Sequence, residues 1–124
     1  MLSNRFIHTA AVFFVIGVAT SIRMAWYGDV SLGPLQLHLS LLGWTSLAII
    51  GLLYAIYPHL ERGWAAGLHY WLHTLGLLLF TVGAATESEP SSTMSAVGGA
   101  MLGLGAVIFA FNVFSQLRAS RHGW

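Results

Sequence analysis

The sequence predicts an all-α membrane protein, an up-down bundle of four transmembrane helices forming one domain over residues 1–124. Three observations carry this. The chain is 56% hydrophobic and 7% charged, against roughly a quarter charged in soluble domains, so it lacks the charge to cover a soluble surface. Its mean hydropathy is +0.74. Four long runs are almost free of charge, and each is close to the ~20 residues that cross a bilayer as a helix. Short polar segments separate them, which forces neighbouring helices to run antiparallel.

The first span covers about 5–27, with Phe6 to Ile22 uncharged and Arg23 near its end. The apolar stretch is longer than a signal peptide's core, so this run reads as a retained helix rather than a signal peptide. Gly28-Asp29 and Gly33-Pro34 punctuate the connection to the second span at about 35–58. Pro58 to Gly63 forms the next connection, followed by the third span at about 64–86. Glu87-Ser88-Glu89-Pro90-Ser91-Ser92 leads into the fourth span at about 92–117. Helices are the expected form of all four, because lipid offers no partner for unpaired backbone groups.

Orientation follows from the arginines. Arg5, Arg62, Arg118 and Arg121 share one side of the bundle, and Arg23 lies on the other with Asp29, Glu87 and Glu89. The positive-inside rule then places both termini in the cytoplasm of a bacterial inner membrane. Trp26, Tyr27, Tyr54, Tyr57 and Trp64 fall near span ends, as an aromatic belt would. A net charge of +1 supplies no basic patch for nucleic acid. The absence of cysteine excludes disulfides, thiolate metal sites and covalent c-type haem. No carboxylate pair, nucleophile with its base, or phosphate loop is present.

Six histidines hold the remaining chemistry. His59 and His122 fall in a connection and at the terminus, where water reaches them. His8 opens the first span on the inner side, and a boundary role competes with an approach to His69. His69 and His73, in "LHYWLHTLG", are four residues apart and share one helical face with Gly76 and Phe80. Such a pair can hold a metal, copper among them, with His8 as a candidate third ligand; equally, each ring can bond to backbone or water. His38, in "LQLHLSLLGW", stands one turn inside the second span among leucines. An ionisable group there is kept only where it has a partner, either a packing hydroxyl on a neighbouring helix or a ligand that needs an oriented imidazole. Gly99-Ala-Met-Leu-Gly103, extended by Gly98 and Gly105, is a small-xxx-small motif suited to close helix packing.

The stretch "LHLSLLGWTSLAIIGLLYAIYPHLERGWAAGLHYWLHTLG" resembles the second and third helices of the haem–copper oxidase and nitric oxide reductase catalytic subunit. More specifically, it resembles small stand-alone four-helix proteins related to that subunit. The likeness is carried by His38 followed by Gly43 and Gly51, the aromatic span end at Tyr54 and Tyr57, Pro58, and the aromatic start of the third span. It implies a haem b, with His38 as an axial iron ligand near the outer face and Arg23 meeting the haem propionates. The later helices that supply that family's other haem and metal ligands have no counterpart here, so a complete oxidase or reductase is not expected.

The expectation is a haem b protein of the membrane, transferring electrons with a redox partner or quinol and assembling as a homo-oligomer. Gas binding or sensing, a cofactor-free accessory or assembly subunit of a larger oxidase, and copper binding remain open. On straight helices His38 and His73 differ in depth by ~14 Å, from a rise of 1.5 Å per residue. Two imidazoles on one iron need nitrogens within about 4 Å. Met24, Met94, Met101 or the His38 of a second copy are the remaining candidates for a sixth ligand.

Overall fold

The computed structural model describes residues 1–86 and 93–121, without the side chain of Ser120. Glu87, Glu89 and His122 lie outside the described residues. Helix α1 runs Leu2–Tyr27. The second span, Gly33–Ile56, is continuous but not uniform. It consists of α2 (Gly33–His38), a π-helical stretch (Leu39–Thr45) and α3 (Ser46–Ile56). A 3₁₀ turn at Pro58–Glu61 leads to α4 (Trp64–Thr86), and α5 covers Thr93–Arg121. All four spans are long and apolar enough to cross a membrane.

Local sequence explains the joints. Gly28 closes α1 with φ 65°, a left-handed conformation in which a β-carbon would be strained. Asp29 then accepts the Ser31 N–H at 2.9 Å, and hydrogen bonds from Ser31 hold its carboxyl below the usual carboxylate range. Pro34 sits in the first turn of α2, where a missing N–H costs nothing. Pro58 ends the second span at Ile56, two residues before the expected limit, and starts the 3₁₀ turn.

The bundle is two helical hairpins laid against each other. Helix α1 packs on the second span, and α4 on α5, more extensively than either pair meets the other. Glycines permit both approaches. In the first hairpin a β-carbon on Gly43 would stand 2.7 Å from Phe13 Cβ, and one on Gly51 2.7 Å from Ile7. In the second, a β-carbon on Gly98 would strike the Phe80 backbone and lie 2.6 Å from the Gly76 carbonyl. The expected Gly99/Gly103 seam is therefore displaced: Gly103 has nothing within 4 Å of an added β-carbon, and Gly98 and Gly105 face α4 instead. Four glycines close together fix the composition of a seam but not which of them faces it.

Phe6, Phe13, Leu39, Leu47, Tyr54, Leu60 and Leu77 form the core around which the hairpins meet. Tyr54 is fully buried, with its ring 5.3 Å from Phe6. It leaves the aromatic belt expected from its position, because the 3₁₀ turn and Leu60 fold beneath it. Trp26, Tyr27 and Trp64 remain outward at helix ends, as a belt requires. Val15, Val107 and Phe114 point outward along the spans, where lipid is the solvent.

The seam yields a first prediction. Gly98→Ala should lower stability by about 1–3 kcal/mol, the usual cost of overpacking a close contact, while Gly103→Ala should stay within ~0.5 kcal/mol of the parent. Thermal unfolding of both variants in the same detergent decides it, and equal stability would show that the two helices do not cross at Gly98.

Candidate functional site

The first hairpin and the α4–α5 hairpin are tied by three hydrogen bonds at different depths. Thr9 and Tyr70 pair their hydroxyls at 2.9 Å. The Asn112 amide donates to the Leu60 carbonyl at 2.9 Å. Deepest in the bundle, His73 Nε2 lies 2.8 Å from the carbonyl oxygen of Leu42, inside the π-helical stretch. A carbonyl only accepts, so Nε2 carries the proton and the lone pair of the neutral ring is on Nδ1.

The π-helical stretch and this bond belong together. Ser46 gives both its N–H and its hydroxyl to the Leu41 carbonyl, the hydroxyl at 2.6 Å, five residues back. Such wide turns loosen the regular ladder and recur at functional places in helices. Here the His73 side chain reaches across to a carbonyl within that loosened stretch.

His38 sits immediately before it, half-buried, with its ring 4.9 Å from that of Phe80 on α4. His38 Nδ1 lies 2.6 Å from the Pro34 carbonyl, four residues back. By the same logic Nδ1 is protonated, and Nε2 of the neutral ring carries the lone pair. His38 and His73 thus hold opposite tautomers. Ligating histidines almost always fix one ring N–H on a carbonyl or carboxylate in this way. His38 has that arrangement with Nε2, the outer nitrogen, left over; in His73 the outer nitrogen is already committed.

His69 is 1% exposed. Its ring centre stands 5.0 Å from Phe109, 5.4 Å from Phe6 and 5.5 Å from His73. Its Nδ1 is buried without a hydrogen-bond partner. A β-carbon on Gly105 would lie 3.5 Å from the His69 ring, an ordinary contact that places this point of α5 against the imidazole. His8 is exposed and lines a lipid-facing cleft of about 320 Å³ with Thr9, Phe13, Thr74 and Leu78. Among the described residues no three of His, Asp and Glu converge, so the expected grouping of His8 with His69 and His73 does not form. His59, expected in water, is half-buried and packs on Tyr57 with ring centres 6.0 Å apart.

Arg23 borders an open groove of about 490 Å³ between α1, α2 and the end of α4, lined also by Ile16, Ala19, Leu32, Leu35 and Ala85. Leu35 is one turn from His38, so the groove and the histidine occupy the same end of the bundle. The ~14 Å offset between His38 and His73 becomes smaller. His73 reaches Leu42, four residues from His38, or about 6 Å of helix rise. The Met94 and Met101 β-carbons pack close to Gly83 and Gly76 in the α4–α5 seam, and the Met24 methyl lies near Gly33. Comparison with protein-family models, with curated proteins and with solved structures returns no match.

A second prediction follows for His73. Replacing it with leucine should cost about 1–2 kcal/mol, since the ring's interhelical bond is lost and a carbonyl in lipid loses its donor. His73→Gln, which keeps a donor, should recover part of that loss. Unfolding in mixed micelles tests both, and a fully stable leucine variant would remove the bond from the account.

Proposed function

We propose that this chain is a haem b-binding membrane protein that carries electrons within the bilayer, with His38 as an axial ligand of the iron. The observation that carries the reading is the 2.6 Å contact of His38 Nδ1 with the Pro34 carbonyl. It fixes the ring's orientation and leaves Nε2 as the Lewis base. The resemblance of "LHLSLLGW" to the second helix of the oxidase catalytic subunit points to the same residue. Bound iron would supply reversible one-electron chemistry. The remaining residues would bind and orient. Arg23, at the edge of the adjoining groove, would neutralise carboxylates, and Leu32, Leu35 and Ala85 would exclude water.

His73 fits this reading as a positioning residue rather than a second ligand, because its outer nitrogen is bonded to Leu42. With one ligand from each chain, the His38 of a second copy would supply the other imidazole, a pairing suited to electron transfer. An iron left five-coordinate would bind a gas such as nitric oxide. A quinol or a membrane-bound redox protein is the class of partner either form would meet. The inner-membrane location and the cytoplasmic termini belong to the same proposal and rest on four arginines at one end of the bundle.

Two outcomes test it. Protein purified from haem-replete cells should show the absorption of a non-covalent b-type haem, lost or altered in His38→Ala and kept in His59→Ala. A folded preparation that is colourless and takes up no added haem would refute the cofactor assignment. Reporter fusions after Trp124 should report the cytoplasm. Activity confined to periplasmic reporters would invert the topology and move His38 to the inner leaflet.

A further inference from the structure

We infer that the end of the bundle carrying Arg62 holds a specific site for the phosphate of an anionic phospholipid, in the cleft between the start of α4 and α5. The cleft is small, about 110 Å³, and Arg62, Trp64, Phe111, Ser115 and Gln116 line it. At roughly 10–15 Å³ of such space per water, the cleft has room for several waters and so for a phosphate group. Its donors are the Arg62 guanidinium and the Gln116 amide, two groups that together match phosphate oxygens. Gly63 and Ala65 also line it, and the leading N–H groups of α4 have no carbonyl of their own helix to bond, which adds positive field of the same sign.

The surrounding charge selects an anion over a zwitterion. Arg5, Arg62, Arg118 and Arg121 share this end. Glu61, its one acidic side chain among the described residues, is already engaged by the Ser3 N–H at 2.6 Å. Around α5 from the cleft, Arg118 and Arg121 line a second groove of about 270 Å³ with Phe114 and Leu117. The apolar neighbours identify a lipid rather than a free phosphate as the occupant. Phe111 is 61% and Trp64 67% exposed beside the cleft, where acyl chains would continue downward from a bound headgroup. Basic pockets between transmembrane helices recognise lipid headgroups by this combination. The site stands apart from His38, and its test does not depend on haem.

The experiment is a lipid titration of the full chain, followed by native mass spectrometry, comparing phosphatidylglycerol with phosphatidylcholine of matched acyl chains. The parent should retain phosphatidylglycerol preferentially. Arg62→Gln should weaken that binding about ten-fold or more, as loss of a charge-assisted hydrogen bond does. Gln116→Leu, which alters no charge, should weaken it as well. Arg5→Gln removes the same charge from the same end but lies outside the cleft, and should weaken binding far less than Arg62→Gln. Circular dichroism of each variant confirms the helical fold. Equal retention of the two lipids overturns the site, and so does an equal loss in Arg5→Gln and Arg62→Gln, which would mean that net charge alone attracts the lipid.

Discussion

Inside a bilayer a helix carbonyl has no water to turn to, and Leu42 shows how this chain uses one to join its two hairpins. Its oxygen, within the π-helical stretch, accepts the Nε2–H of His73 from the opposite hairpin. The tie sets the register of α4 against the second span. It lies deeper than the Thr9–Tyr70 contact and the Asn112–Leu60 contact, which pin the hairpins nearer the Leu60 end. In hydrocarbon, apolar contact scarcely favours protein over lipid, so close glycine packing and such bonds hold helices together. Glycines build each hairpin, and hydrogen bonds join the two.

The same constraint separates the histidines. His73 is spent on structure, since its outer nitrogen is a donor engaged across the interface. His69 packs among Gly105, Phe6 and Phe109. Among the described residues His38 alone pairs a locked inner nitrogen with an outer nitrogen left as a base. A metal competes poorly for a ring whose proton already satisfies a buried carbonyl, because binding there would first strand that carbonyl. It competes well for a ring whose inner proton is already placed.

Much of this was legible in the sequence. Uncharged runs fixed the four spans, and Gly28, Pro34 and Pro58 fixed the joints. The π-helical turn was not, because a leucine run has the same appearance whether its carbonyls bond four or five residues on. What stabilises the wide turn is a histidine 31 residues away. Tyr54 was misplaced for a related reason: distance from a span end does not say which way a ring points, and the buried Leu60 beneath it closes that end. Gly98 and Gly99 differ by a third of a turn, so only the phase of α5 against α4 could choose between them. The spacing of His38 drew attention to the residue, but its tautomer depended on a carbonyl contact no pattern displays.

The offset between His38 and His73 shows what a straight-helix ruler misses. Counting residues from opposite membrane faces adds the errors of both span ends; here the outer end of the second span lies at Gly33 instead of 35, and the third span starts at Trp64 as expected. A direct contact needs no such count. It places the His73 ring against the Leu42 carbonyl, about 6 Å of helix rise from His38. His38 directly precedes the π-helical stretch, and His73 bonds into it. A substitution at His73 would therefore reach His38 through the backbone that follows it, by altering how the Leu39–Thr45 turn is held. That route makes the stretch the mechanical link between the helix interface and the outward-facing imidazole.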